Sequence, residues 1–246
     1  MRQLGLILLL VGFCHSSLAF TIASAANFKP TLVRLVERFE ALHPTAEIKI
    51  VSASSGMLHT QIQQGAPFDI YLSADASRPK SMENKSGNKS FVYALGRLVF
   101  WQRDSSISNK DSLLQYEGRL AIANPKIAPY GSAAMETLQS LNLSGIYQNR
   151  LIRGNNVNQS YQFIYSGNVG AGLISRSQVI QGKHSNFWLV PKESHNPIEQ
   201  RGILLNSKDN FAPIFVKYLQ SGFAKEIIIQ SGYDLPHDLP SDLTLK

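Results

Sequence analysis

The stretch Thr21-Ile22-Ala23-Ser24-Ala25-Ala26-Asn27-Phe28-Lys29-Pro30 decides the fold that we predict for this chain. Its apolar first half is typical of a strand, the small residues around Asn27 predict a tight loop, and Pro30 is tolerated in the first turn of a helix. Apolar residues then recur at helical spacing, at Leu32, Leu35, Val36, Phe39 and Leu42. The junction therefore runs from a strand through a loop to a helix N-terminus, where free amide N–H groups and the helix dipole favour an anion.

Strand and helix patterns continue to alternate after this junction. Glu47–Ser52 alternates as a strand, Ala53–Gly56 leads into a second helical pattern, and Phe68–Leu72 is the next short strand. This order predicts a parallel sheet covered by helices. Phe91–Arg103 is then a run of strand formers long enough to leave one lobe and enter another.

The same junction recurs in the second half of the chain. The strand Arg119–Ala123 precedes a loop whose two prolines and glycine predict a helix only from Ala133. Loops of one form therefore lie at Asn27, Ser55, Tyr130–Ser132 and Asn156–Val157. For a single such loop, the preferred interpretation is that Asn27 only caps its own helix. The recurrence of this loop form at four positions instead favours a ligand site, because such loops meet at the carboxyl ends of strands.

None of these loops centres on Arg, Asp or Glu, so the predicted donors are neutral. A site made only of donors favours a fully deprotonated anion over one that still carries a proton. Taken by themselves, the loops support a small oxyanion and no particular element.

The N-terminal residues predict export. Met1–Ala19 combines Arg2, an apolar run and a small-x-small cleavage site, as in a secretory signal peptide. Cys14 falls inside this segment, and bulky Phe13 before it argues against lipid attachment. No cysteine follows, so neither a disulfide nor a thiolate metal site is expected. The net charge of +7 comes from scattered Lys and Arg, which argues against a nucleic-acid or membrane-surface partner.

Several short motifs follow one another in a fixed order. They are Ala25-Ala26-Asn27-Phe28, Ser54-Ser55-Gly56, Gly65-Ala66-Pro67-Phe68-Asp69-Ile70-Tyr71-Leu72-Ser73-Ala74-Asp75, Pro129-Tyr130-Gly131 and Val169-Gly170-Ala171-Gly172-Leu173. With these motifs the sequence resembles the periplasmic molybdate-binding proteins of ABC transport systems, the ModA family, from Thr21 to about Pro236. The third motif is long and specific, whereas the others gain weight from their order.

The resemblance implies an α/β fold, the two-lobed periplasmic binding protein of type II. Each lobe would be a mixed, mainly parallel sheet flanked by helices, with the ligand in the cleft between the lobes. We expect a signal peptide at 1–19, a first lobe from 20–94 and 200–236, a second lobe at 95–199 and a C-terminal tail at 237–246. Closure would occur about Tyr93–Val99 and Ile198–Leu204.

Carried over by position, the ligand contacts of the family fall on residues of both lobes. They are Asn27 and Ser55 from the first lobe, Tyr130 and the backbone N–H of Val157 from the second, with Ala26 and Ser175 as further candidates. All would contact oxygen atoms of molybdate rather than the metal. Some members place a tyrosine hydroxyl at the position of Ser175 and an alanine at that of Tyr130, so the phenol of Tyr130 is expected to reach the anion from a different loop. Asp69 and Asp75 are expected to be structural.

The resemblance implies capture of molybdate, and also tungstate, in the periplasm. The chain would be a monomer without a cofactor, delivering its ligand to a membrane permease whose ATPase is a separate subunit. An enzyme is the first rival, but nucleophile elbow, phosphate-loop and His-Glu-x-x-His motifs are all missing. His59 is the one candidate base near a loop. Sulfate binding is the stronger rival, because sulfate shares the dianionic tetrahedral chemistry and only cavity size would separate the two.

Overall fold

The computed structural model describes residues 19–106, 108–207 and 209–236. The predicted signal peptide, apart from Ala19, and the predicted tail 237–246 lie outside these residues, as does Cys14. No helix in the described ranges is both long enough and apolar enough to cross a membrane.

Strands and helices alternate through the described ranges. The strands are β1 (Phe20–Ala25), β2 (Ile48–Ala53), β3 (Ile70–Ser73), β4 (Phe91–Gly96), β5 (Leu98–Gln102), β6 (Leu120–Ala123), β7 (Leu151–Gly154), β8 (Ala171–Ser175), β9 (Phe187–Leu189) and β10 (Ile198–Leu204). The helices are α1 (Lys29–Leu42), α2 (Ser55–Gln63), α3 (Ser77–Ser81), α4 (Glu83–Ser86), α5 (Lys110–Gln115), α6 (Pro129–Ser140), α7 (Ser144–Tyr147), α8 (Val157–Tyr165), α9 (Arg176–Gln181), α10 (Phe211–Leu219) and α11 (Gly222–Gln230). A 3₁₀ turn spans Lys192–Ser194.

The strands form two sheets with the same plan. The first has the order β2-β1-β3-β10-β4 and the second the order β7-β6-β8-β5-β9. In each sheet the first three strands run parallel, and the last two pairings are antiparallel. The predicted two-lobed α/β fold with mixed sheets is confirmed.

The chain passes between the sheets twice. β4 belongs to the first sheet and β5 to the second, with only Arg97 between them, and β10 returns the chain to the first sheet. The first crossing lies inside the predicted hinge segment Tyr93–Val99, whereas the second runs from the end of β9 to the start of the other predicted segment, Ile198–Leu204. The residue bounds of the lobes, at 94 and 199, stay a prediction.

Each lobe has its own apolar core. In the first, α1 buries Leu32, Leu35 and Phe39, and the ring of Phe39 lies edge-on to that of Phe215 at 5.0 Å. Leu42, the last residue of the predicted apolar stripe, is exposed at the end of α1. In the second, Trp101 is fully buried with the apolar strands β6 and β8. Each fully buried large apolar side chain contributes roughly 1.5–3 kcal/mol, so each sheet is held rigidly behind its loops.

One predicted boundary is wrong. α6 begins at Pro129 and not at Ala133. Proline is favoured at the first position of a helix, where its missing N–H has no partner to lose. The start of α6 packs closely against the end of β6. A Cβ at position 131 would collide with the carbonyl oxygen of Ala123, so glycine is needed there in spite of its low helix propensity.

Asp69 and Asp75 both bond to neighbouring protein groups. Asp69 accepts from the backbone N–H of Thr21 at 2.7 Å and from the Asn206 side chain at 3.0 Å. Asp75 pairs with Arg78 and accepts its backbone N–H at 2.9 Å. Burial tends to raise the pKa of Asp75, but these bonds outweigh it and lower the pKa below its ordinary value. Both carboxylates therefore brace the first lobe.

Candidate functional site

The carboxyl ends of β1, β2, β6 and β7 face one small cavity between the lobes. Each strand leads directly into a helix, namely α1, α2, α6 and α8. The cavity has a volume of about 10 Å³, close to the space of one bound water. Its lining residues are Ala25, Ala26, Asn27, Ser54, Ser55, Ala74, Ala128, Pro129, Tyr130, Asn156 and Val157. Five of the six predicted contact residues therefore lie together, and Ser175 does not line this cavity.

The first lobe presents Asn27 and Ser55. In the loop after β1, the N–H of Ala26 donates to Ala53 and the N–H of Phe28 donates to Ala25, so the turn uses the amides on either side of Asn27. Ser55 is the first residue of α2, where the backbone N–H lacks a partner within the helix. The Ser55 hydroxyl oxygen accepts from the N–H of Ala74 at 2.9 Å. Its own hydrogen is therefore available to an acceptor in the cavity.

Neither Asn27 nor Ser55 is the side-chain cap of the helix that follows it. Ser54 caps α2 by accepting from the N–H of Met57 at 3.4 Å. Asn27 does not cap α1, because the N-cap position is Phe28 and no side-chain cap bond forms there. The alternative reading of Asn27 as the cap of its own helix is therefore wrong.

The second lobe presents backbone N–H groups. Pro129 and Tyr130 are the first two residues of α6, so Tyr130 carries the first amide hydrogen of that helix. In α8, Asn156 caps by accepting from the N–H of Gln159 at 3.0 Å. This cap leaves the amides of Val157 and Asn158 without a partner within the helix.

The two lobes touch across the cavity. The N–H of Gly56 in α2 donates to the carbonyl oxygen of Ile127, in the loop before α6, at 2.9 Å. The Ser177 hydroxyl of the second lobe also donates to the carbonyl oxygen of Asn27, at 3.3 Å. The two lobes are therefore in direct contact beside the cavity, as in a closed form.

The electrostatics of the cavity come from neutral groups. Its lining residues, all in the described part of the chain, include no Lys, Arg, His, Asp or Glu, and Lys29 nearby is exposed. Each helix N-terminus instead carries about half a positive charge in partial charges. With N–H and O–H donors on several sides and no carboxylate to accept a proton, the site suits a small and fully deprotonated anion.

The side chain of Asn27 points to the hinge. Its Nδ2 atom donates to Gln200 Oε1 at 2.9 Å and to the Tyr233 hydroxyl at 3.0 Å. An amide nitrogen has two hydrogens, so both are used. In this arrangement Asn27 offers the cavity its backbone N–H. Gln200 and Tyr233 were not anticipated from the sequence, since no local pattern marks either residue.

Tyr130 and Ser175 differ from their expected roles. The phenol oxygen of Tyr130 lies 3.1 Å from Ser175 Oγ and 3.2 Å from Gln200 Nε2, so both side chains donate to it. Burial raises the pKa of Tyr130 well above its ordinary value, so the phenol is neutral. The phenol is therefore held by Ser175 and Gln200, and neither of these two residues lines the cavity. The backbone N–H of Tyr130, in the first turn of α6, is then the donor that this residue would offer to the cavity.

Groups suited to enzyme chemistry lie elsewhere. His59 is outside the cavity lining, and its Nε2 lies 3.5 Å from the hydroxyl of Ser81. Among residues 19–106, 108–207 and 209–236, no three His, Cys, Asp or Glu side chains form a cluster that could hold a metal ion. The arrangement at the cavity can bind and release an anion without covalent chemistry.

Two α/β lobes joined by crossing strands, with helix N-termini from both lobes around one cavity, define a solute-binding protein. A family model described as bacterial extracellular solute-binding protein matches residues 20–234. The chain belongs to this family, in its ModA branch.

The chain is 39% identical over 186 residues to the molybdate-binding protein ModA of Rhodobacter capsulatus, covering 73% of this chain and 74% of that protein. It is 35% identical over 226 residues to the ModA of Azotobacter vinelandii, covering 87% and 89%. The solved structure of the periplasmic molybdate-binding protein of Azotobacter vinelandii superposes with a TM-score of 0.83 at 30% identity, over 89% of this chain and 100% of that one.

Proposed function

We propose that this chain is the solute-binding component of an ABC importer, that its solute is molybdate and that it also accepts tungstate. The observation that carries this proposal is the meeting of amide donors from both lobes at a cavity without a charged lining residue. The names of the relatives favour molybdate among the anions that such a site suits.

Each lobe would supply part of the solute's coordination. Asn27 and Ser55 would donate from the first lobe, through their backbone N–H groups and the Ser55 hydroxyl. Tyr130 and Val157 would donate backbone N–H groups from the second, while Ala26 forms part of the wall. All of these atoms would contact solute oxygens. The first lobe would comprise 20–94 and 200–236 and the second 95–199, closing about the crossings.

The transport role implies partners and a compartment. The closed form would dock on a membrane permease, and ATP hydrolysis would take place in a separate subunit. The chain would act as a monomer in the periplasm after removal of residues 1–19, with no cofactor, no nucleic-acid partner and no catalytic activity.

Selectivity against sulfate would come from size. Sulfate has the same charge and shape as molybdate but shorter bonds from its central atom to oxygen. In a cavity braced by two rigid sheets, a smaller anion would leave part of the donor set at poor hydrogen-bond distance. Charge alone would not separate the two ions, because the donors are neutral.

The test is calorimetric titration of residues 20–246 with molybdate, tungstate, sulfate and phosphate at equal concentration. We expect tight binding of molybdate and tungstate and no heat with sulfate or phosphate. Binding of sulfate with an affinity equal to that of molybdate would overturn the assigned solute. The absence of heat and of a thermal shift with all four anions would overturn the oxyanion role.

A further inference from the structure

A buried hydrogen-bonded cluster lies beneath the cavity and includes Gln200. This residue is fully buried on β10, the strand that returns the chain from the second lobe to the first. Its side-chain amide contacts Asn27, Tyr93 and Tyr130, and Tyr233 completes the cluster through Asn27. Neither the cavity lining nor the sequence motifs include Gln200.

The two ends of the Gln200 amide face different lobes. Its Oε1 accepts from Asn27 Nδ2 at 2.9 Å and lies 3.1 Å from the hydroxyl of Tyr93, both in the first lobe. Its Nε2 donates to the phenol of Tyr130, in the second lobe, at 3.2 Å. Gln200 thereby connects Asn27 of the first lobe with Tyr130 of the second, and both of these residues line the cavity.

The local backbone makes room for this connection. The pairing of β10 with β4 shifts register between Gln200 and Arg201, because Gln200 opposes Ala94 while Arg201 opposes Val92. Tyr93 is thus the extra residue of a bulge, and bulges redirect side chains. At Gly96, a Cβ would lie 2.5 Å from the Tyr130 oxygen and 2.9 Å from Gln200 Nε2.

Gln200 and Tyr130, which form the hydrogen bond between the lobes, each make a further hydrogen bond within their own lobe. Ser175 Oγ donates to the Tyr130 phenol at 3.1 Å and keeps it in the second lobe. Asn27, whose Nδ2 also donates to the Tyr233 hydroxyl at 3.0 Å, keeps Gln200 directed to the first lobe. A hinge rotation that separates the lobes would therefore lengthen the bond from Gln200 to Tyr130, while the bonds from Ser175 to Tyr130 and from Asn27 to Gln200 and Tyr233 would stay within their own lobes.

We propose that Gln200 is a positioning residue that retains the solute. Its bond to Tyr130 forms only when the lobes close, so it slows opening and hence dissociation. This inference rests on the proposed function, because it requires a solute that closes the lobes. Loss of one neutral hydrogen bond predicts a dissociation rate raised roughly three- to tenfold.

The experiment is a double-mutant cycle of Gln200→Met and Tyr130→Phe, with molybdate as the probe and the dissociation rate measured by stopped-flow fluorescence of the two tryptophans. Methionine keeps the length and flexibility of glutamine without its N–H donor, and phenylalanine keeps the ring of Tyr130. We expect each single variant to dissociate faster and the double variant to dissociate no faster than the faster single one.

Tyr93→Phe is the matched control, because that phenol contacts the same Gln200 oxygen from within the first lobe. Its effect on the dissociation rate should add to that of Tyr130→Phe without coupling. Thermal unfolding of the ligand-free variants shows whether a faster dissociation of molybdate comes from a loss of fold or from the loss of the bond between Gln200 and Tyr130. If Gln200→Met does not fold, Tyr130→Phe alone tests the bond, and an unchanged dissociation rate overturns the inference.

Additive effects of Gln200→Met and Tyr130→Phe on the dissociation rate would overturn the inference while leaving molybdate binding intact. Failure of the wild-type protein to bind molybdate, tungstate, sulfate or phosphate would overturn both proposals. The two failures are therefore distinguishable.

Discussion

The N–H of Gly56 donates to the carbonyl oxygen of Ile127 at 2.9 Å, and a Cβ on Gly56 would lie 2.9 Å from the same oxygen. This position therefore joins the lobes only if residue 56 has no side chain. We expect Gly56→Ala to hold the cleft partly open and to weaken molybdate binding by one to two decades, since overpacking costs about 1–3 kcal/mol.

Calorimetry measures the affinity of Gly56→Ala. Gly145→Ala is the matched control, because a Cβ at Gly145 meets nothing within 4 Å. Equal affinities for Gly56→Ala and Gly145→Ala would show that the contact between Gly56 and Ile127 does not limit closure.

Ser55→Ala tests the hydroxyl that faces the cavity. Because the Ser55 oxygen already accepts from Ala74, its hydrogen is free for the anion, and a hydrogen bond to a charged group contributes roughly 1.5–3 kcal/mol. We expect the affinity for molybdate to fall by about one to two decades. Thermal unfolding of ligand-free Ser55→Ala reports the stability cost of losing the bond from the N–H of Ala74. Wild-type affinity in Ser55→Ala would remove the hydroxyl from the site.

Val157→Pro tests a backbone donor directly. Val157 is the first residue of α8 and follows extended Asn156, so proline fits there while the N–H is removed. Calorimetry should show a loss of molybdate affinity of about one to two decades, as for a hydrogen bond to a charged group.

Gly222→Pro is the matched control for Val157→Pro. It makes the same change at the first residue of α11, after extended Ser221 and with nothing near a new Cβ. Similar affinities in the two proline variants would contradict the role of the Val157 amide.

Asp234 predicts an acid-sensitive component of stability. Its carboxylate lies 2.8 Å from Arg97 and 3.1 Å from Lys192, with Arg176 at 3.7 Å. Burial tends to raise the pKa of Asp234, but the bonds from Arg97 and Lys192 outweigh it and lower the pKa below 3.8. The charged form is therefore favoured by folding. Its contribution is complete above the unfolded pKa and is lost as the pH falls through the folded pKa.

We expect Asp234→Asn to lower the free energy of unfolding by about 1–3 kcal/mol at pH 6 to 7. The difference from wild type should be constant above about pH 5 and should shrink below about pH 4. Thermal melts across this range measure it, with Asp104→Asn at an exposed ion pair as the control. A difference that persists unchanged at pH 3 would contradict the electrostatic origin.

The fold and the loops around the cavity could be predicted because their signals are local. A strand, a short loop of small or amide residues and a helix start are contained in about ten residues, as at Asn27 and Ser55. The start of α6 was missed because proline and glycine in its first turn resemble a loop. There, Pro129 occupies the position where proline is favoured, and close packing on β6 requires Gly131.

The direction of side chains at the hinge could not be predicted in this way. Tyr130 bonds to Gln200, 70 residues later, and Asn27 bonds to Tyr233, 206 residues later. These partners meet only after both sheets have formed, and local sequence does not encode their distance. The family pattern led us to expect that the Tyr130 phenol contacts the anion. In the structure this phenol instead accepts a hydrogen bond from Gln200 of the other lobe.

The division of donors between the lobes bears on how cargo is unloaded. Two of the four proposed amide donors belong to each lobe, and no Lys, Arg, His, Asp or Glu lines the cavity. A permease that pulls the lobes apart would thus strip the anion of half its coordination in one mechanical step. Release would then need no protonation event and would proceed equally well across the pH range of the surrounding medium.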